Sequence, residues 1–175
     1  MMLEAYKNIW KSTMYRFLIA FISVFISGCG IENKYEEYNH GKAIFISSAM
    51  KYVGVPYKLG GQGYDYMDCS GLIIKSLNDI GINNLYYDGN VVFDTTADGL
   101  YRFNSLETKT PKPGDLIFFD VENTGRMTHV SIFLTFTETS VVVLDAFSGS
   151  GRVEIREVEE FYSKNHVFCE LDALK

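Results

Sequence analysis

The sequence predicts an α+β fold, on two observations. Segments with helical spacing or a clear helix start occupy the first half of the 175-residue chain, at 42–52 and 69–80, and short β-branched apolar runs fill the second half. Helices grouped ahead of strands, instead of alternating with them, are the α+β order.

Each element has its own warrant. Residues 42–52 read as a helix because Ala43, Ile44, Ile46, Ser47 and Met50 recur about a turn apart. Residues 53–67 carry four glycines and one proline and read as a long loop. Asp68 is a good N-cap for a helix over 69–80, and Gly81 is a plausible stop. Residues 83–98 mix aromatic and β-branched side chains with Asp88, Gly89 and Asn90; they read as a loop, followed by a helical piece around 96–103. Strands are expected at 115–119, 129–135, 140–146 and 153–158, then a short helix around 159–164 and a short strand at 167–171.

Composition bounds the rest. With 47% hydrophobic residues and three prolines, the chain is of a size to bury one core without disulfide staples. A formal charge of -6 with no basic stripe argues against nucleic acid as a partner. His40, His129 and His166 are far apart, and none has metal-ligand spacing with another histidine or a cysteine, so no metal or cofactor is expected. A monomer is expected.

The N-terminus carries an address. Lys7, Lys11 and Arg16 precede an apolar run over 17–26 that ends in Ser27-Gly28-Cys29, which is the charge pattern and length of an export signal and too short for an ordinary spanning helix. Ile26-Ser27-Gly28-Cys29 resembles a bacterial lipobox, implying that Cys29 is acylated and heads the mature chain. The expected organisation is a lipoprotein signal peptide at 1–28, a short tether at 29–39 and a single folded domain at 40–175. Met14 is an alternative start. Gly30 after the anchor suggests, by resemblance to lipoprotein sorting, an envelope location on the outer membrane.

Three residues point to chemistry. Cys69 lies where a polar Gly-rich loop, Tyr64-Asp65-Tyr66-Met67-Asp68, runs into the apolar helix Ser70-Gly71-Leu72. The first N–H groups of a helix lack internal partners and carry partial positive charge, which favours a thiolate there. Taken alone, Cys69 has a packing role as its alternative. His129 opens the strand His129-Val130-Ser131-Ile132, and Asp145 stands near the end of the apolar run Ser140-Val141-Val142-Val143-Leu144. A lone acid in such a run either pairs with a buried donor or faces solvent.

Gly54-Val55-Pro56-Tyr57, Gly60-Gly61, Asp68-Cys69-Ser70-Gly71, Pro113-Gly114-Asp115-Leu116 and His129-Val130, in this order, resemble the NlpC family of cell-wall cysteine peptidases. The resemblance spans most of residues 40–160. It implies a papain-like arrangement, with the nucleophile at the N-terminus of a helix packed on an antiparallel sheet. It makes Cys69 the nucleophile and His129 the base. Asp145 stands where the family more often has His, Asn or Gln, and would orient the imidazole. Tyr57 matches a tyrosine that reaches the active site, and Gly60, Gly61, Asp68 and Ser70 fall on the substrate-facing wall. The implied reaction is hydrolysis of peptide bonds in peptidoglycan stem peptides or cross-links through a thioester, without cofactor. A catalytically silent wall-binding lipoprotein and an acyl or amide transferase are the alternatives. Of the other thiols, Cys169 reads as a packing residue, and a Cys69–Cys169 disulfide would disable the nucleophile.

Overall fold

The computed structural model describes residues 34–159 and 165–175. The signal peptide expected at 1–28 and residues 29–33 of the tether expected at 29–39 lie outside the described residues, as does most of the short helix expected at 159–164; residues 34–39 of the tether are helical, and Glu159 ends a strand.

Helix α1 spans Lys34–Met50, eight residues longer at its start than the periodicity over 42–52 implies. Lys42, Phe45, Ser48 and Ala49 are buried on one face, three or four residues apart. Helix α2, Cys69–Asp79, begins at the N-cap Asp68. It ends in a Schellman motif: Gly81 takes φ 87° and donates to Asn78, while Ile82 donates to Leu77.

The expected loop after α2 proves to be a hairpin, and this corrects the sequence reading. Strands β1, Leu85–Tyr87, and β2, Asn90–Val92, pair antiparallel around Asp88-Gly89, both with positive φ (48° and 77°). That is the geometry of a two-residue Asp-Gly turn of type I′. Helix α3, Ala97–Asn104, follows from the N-cap Thr96.

The main sheet is antiparallel throughout. Strands β3 (Ser105–Glu107), β4 (Leu116–Phe119), β5 (His129–Phe136), β6 (Ser140–Phe147), β7 (Arg152–Glu159) and β8 (His166–Leu171) lie in the order β3-β8-β4-β5-β6-β7. Strand β3 was not foreseen, and the others differ from expectation by a single residue at one or both ends. A 3₁₀ turn, Asp172–Leu174, closes the chain.

Side chains alternate across this sheet. Leu116, Phe118, Val130, Ile132, Leu144, Ala146 and Val153 join Phe45, Leu72, Ile73 and Leu77 of the helices in the main core. The alternate positions of the sheet build a second cluster, Ile117, Phe119, Phe133, Val141, Val143 and Val158. His129, Asp145 and Arg156 take alternate positions of this second kind on three neighbouring strands.

A buried ion pair ties α1 to the sheet. Lys42 Nζ lies 2.6 Å from Asp115 Oδ1, at side-chain exposures of 2% and 0%. Asp115 Oδ2 also accepts the Lys112 N–H at 2.7 Å. Gly114 permits the approach, since a Cβ there would lie 2.7 Å from Lys42 Cβ. The Pro-Gly-Asp turn is therefore the seat of a helix lysine.

Candidate active site

The site begins with the loop before α2. Residues 54–57 run along β7 as an added extended segment: Gly54 N–H donates to Val153 O at 2.8 Å and Tyr57 N–H to Gly151 O at 2.7 Å. The loop then folds back on Asp68, whose carboxylate serves both sides. Its Oδ1 accepts Gly71 N–H at 2.7 Å and Ser70 Oγ–H at 3.0 Å, and its Oδ2 accepts Gly60 N–H at 2.7 Å. Asp68 N–H in turn donates to Gly61 O at 2.9 Å.

Glycine is required twice in this turn. A Cβ on Gly71 would stand 2.2 Å from Gly61 O, and a Cβ on Gly61 would stand 2.8 Å from Lys58 O. The Gly-rich wall can lie on the first turn of α2 because neither residue has a side chain. An open cleft of about 240 Å³ is lined by residues of this wall, Lys58 to Gly63 with Asp65 and Tyr66.

Cys69, 8% exposed, is the first residue of α2. His129 is the first residue of β5, and its ring lies close enough to the Cys69 side chain for the two to interact electrostatically. Its Nε2 lies 3.0 Å from Asp145 Oδ2, which leaves Nδ1 for the sulfur. Asp145 Oδ1 is equally close to Nε2 but makes no well-angled hydrogen bond. Asp145 is fully buried, so the solvent-facing alternative for it does not hold.

The buried carboxylate has a second partner that sequence reasoning missed. Arg156 of β7 donates to Asp145 Oδ2 from Nε at 2.7 Å and from a terminal guanidinium nitrogen at 2.5 Å. Its guanidinium sits 4.0 Å from the centroid of Phe147, whose ring meets that of His129 edge-on at 6.4 Å. The cross-strand register pairs Val143 with Arg156 and Asp145 with Glu154, which puts Arg156 diagonally across from Asp145 on the same face. The signal in the sequence was the unpaired acid itself, which called for a cation on an adjacent strand.

Electrostatics follow from these contacts. Burial opposes charge on His129, but the Asp145 carboxylate and the Cys69 sulfur outweigh it and push the imidazole up to about 10. Burial likewise opposes charge on Asp145, and His129 with Arg156 overcomes it, holding the carboxyl below its usual range. Burial raises the Tyr57 phenol, helped by the negative charge of Cys69, Asp68 and Asp145, which places Tyr57 within electrostatic reach of all three. Cys69, His129, Asp145 and Tyr57 are thus brought together. Gly60, Gly61, Asp68 and Ser70 form the adjoining turn, with the Asp68 carboxylate engaged within it. Cys29 lies outside the described residues.

The other thiol is inert by comparison. Cys169 is fully buried on β8, between β3 and β4 in the sheet, and burial, aided by Glu107 and Asp115, pushes it up to about 12. Both Cys69 and Cys169 are free thiols. Among the described residues, no group of three or more His, Cys, Asp or Glu side chains could hold a metal ion, and no helix is long and apolar enough to cross a membrane.

This arrangement can form a thioester: a cysteine at a helix start, an imidazole on it, and a buried acid behind the imidazole. Solved structures share the fold. The NlpC/p60 domain of the peptidoglycan hydrolase SagA superposes with a TM-score of 0.51 at 22% identity, over 72% of this chain and 96% of that one. The peptidoglycan hydrolase RipB from Mycobacterium tuberculosis gives 0.53 at 19% identity, over 89% and 77%. NlpC1 from Trichomonas vaginalis gives 0.51 at 21% identity, over 81% of this chain and 46% of that one. No functionally curated protein matches the sequence. The family model described as NlpC/P60 matches residues 54–172, which covers the nucleophile helix, the histidine strand and the carboxylate strand alike, and the chain therefore belongs to the NlpC/P60 family.

Proposed function

We propose that the protein is a cell-wall cysteine peptidase that cleaves peptide bonds in peptidoglycan stem peptides or cross-links. The observation that carries this reading is His129 bound to the buried Asp145 carboxylate and within electrostatic reach of Cys69, which is the first residue of a helix. The peptidoglycan hydrolases SagA and RipB, which share the fold, support the substrate class.

In this mechanism the Cys69 thiolate attacks the scissile carbonyl, and the imidazolium of His129 gives its proton to the leaving amine. A thioester remains. Neutral His129 then takes a proton from water, hydroxide adds to the thioester, and the tetrahedral intermediate expels the thiolate and the acid. Cys69 N–H, first in its helix, and the Tyr57 hydroxyl are the oxyanion donors. Gly60, Gly61, Asp68 and Ser70 present the wall along which the peptide lies, with the Asp68 carboxylate shaping that wall. The protein works as a monomer in the cell envelope, facing the periplasm and held to the outer membrane by lipid on Cys29.

Digestion of purified peptidoglycan by the wild-type chain beside Cys69→Ala, with fragments read by mass spectrometry, tests this. New fragments from wild type alone support the peptidase and give the bond by mass. Folded protein that releases nothing from several wall types sinks the peptidase and leaves a wall-binding lipoprotein.

A further inference from the structure

The thioester mechanism makes two opposite demands on His129. It must hold a proton while Cys69 is a thiolate, and it must be proton-free once the sulfur is acylated and uncharged. A buried carboxylate at 3.0 Å meets the first demand and resists the second, because its charge acts through a medium less polarisable than water. Something must moderate Asp145.

The only oxygen of Asp145 with well-angled hydrogen bonds, Oδ2, is shared. It takes His129 Nε2 at 3.0 Å and two N–H groups of Arg156 at 2.7 and 2.5 Å. The Arg156 side chain is 19% exposed and lies over Phe147, so its fork is fixed in place. We propose that Arg156 is a positioning residue for the hydrolytic step: by clamping the one oxygen that His129 also uses, it holds the carboxylate against the imidazole and draws off part of its charge, which lets His129 act as a base once the thioester has formed. This rests on the thioester reading above.

The other groups around His129 do not supply this function. Cys69 from α2 is neutral in the thioester, and Tyr57 from the preceding loop is raised and stays protonated. Asp68, at the start of α2, is engaged by Gly60, Ser70 and Gly71. Glu154, the register partner of Asp145 on β7, pairs with Arg152 at 3.3 Å. Phe119 of β4 and Phe147 of β6 flank the ring without charge.

The test uses the full chain as Cys69→Ala, which mimics an uncharged sulfur, with and without Arg156→Met, which keeps the stem over Phe147. NMR titration of the His129 imidazole is expected to move up by about one pH unit in the double variant, about a tenfold gain in proton affinity. With Cys69 restored, the acid limb of kcat in Arg156→Met moves up by the same amount. An imidazole titration that stays put, or moves down, overturns the proposal and leaves Arg156 a structural partner of Asp145.

Arg156→Lys keeps the charge and loses the fork, and is expected to move the titration by about half a unit. If Arg156→Met does not fold, this variant decides alone, and no movement overturns the proposal. Because the titration needs no substrate, it reads the role of Arg156 even where wild type releases no wall fragments, which is the separate failure of the peptidase reading.

Discussion

Asp68 holds Gly60 across the mouth of the site: its Oδ2 accepts the Gly60 N–H at 2.7 Å while its Oδ1 caps the nucleophile helix through Gly71 at 2.7 Å. One carboxylate thus fixes both the helix that carries Cys69 and the wall beside it. Asp68→Ala removes these two bonds and the one from Ser70, and is expected to cost about 1–3 kcal/mol in urea unfolding. Asp68→Ser keeps a cap but cannot reach Gly60; it should recover most of that stability while fragment release stays roughly tenfold down. Equal recovery of stability and activity in the serine variant would show that the tie to Gly60 has no part in shaping the wall.

Asp145→Asn tests the carboxylate behind His129. The substitution keeps shape, removes the charge that holds the imidazole high, and leaves Arg156 facing a neutral amide in a buried place. Peptidase activity should fall by about two orders of magnitude, less than the roughly 10,000-fold loss when the orienting acid of a serine-protease triad becomes an amide. Stability should fall as well, by about 1–3 kcal/mol, because a half-buried cation has lost its counter-charge. Wild-type turnover in Asp145→Asn would remove Asp145 from the mechanism.

How much of this was visible in the sequence depended on range. Cys69 was legible because a helix start is written locally, in Asp68 and the glycines around it, and His129 because a polar residue opens an apolar strand. Asp145 was legible as a mismatch, one acid in a β-branched run. Arg156 was not: Arg152-Val153-Glu154-Ile155-Arg156-Glu157 alternates like a solvated edge strand, and only the register against β6 shows that its arginine faces a buried acid. The β1–β2 hairpin was legible in principle, since Asp88-Gly89 between Tyr86-Tyr87 and Val91-Val92 is a strong two-residue turn signal. Its abundance of polar residues masked the alternation. The Lys42–Asp115 pair joins positions 73 residues apart, and no local pattern announces it.

The charges at the site also set a pH window for stability. The His129 imidazole, raised from 6.5 to about 10, contributes stability that is complete below about pH 6.5 and is lost as pH rises towards 10. Asp145, lowered from its usual range, contributes above that range and loses its share on acidification. Between pH 6.5 and 10 the Tm of wild type should therefore fall more steeply than that of His129→Gln. Parallel slopes for the two proteins would mean that His129 folds without its proton.

The buried Lys42–Asp115 pair should matter more for folding than for chemistry. Its two charges are nearly solvent-free, and burial raises Asp115 even against Lys42, so Asp115 left alone is an uncompensated buried charge and Lys42 left alone loses its nearest counter-charge, with Glu170 at 3.8 Å. Lys42→Met should cost roughly 3–5 kcal/mol in urea unfolding, and Asp115→Leu a similar amount. The double variant should recover much of that loss, because the unpaired charge, rather than the absence of attraction, is what destabilises each single change. Cys69 lies in a different helix, on a cap that neither residue touches, so the folded fraction of each variant should keep its iodoacetamide labelling rate at Cys69. A double variant that is as unstable as the sum of the two single ones would show that the pair acts through attraction after all, with the Pro-Gly-Asp turn dependent on Lys42 to hold its shape.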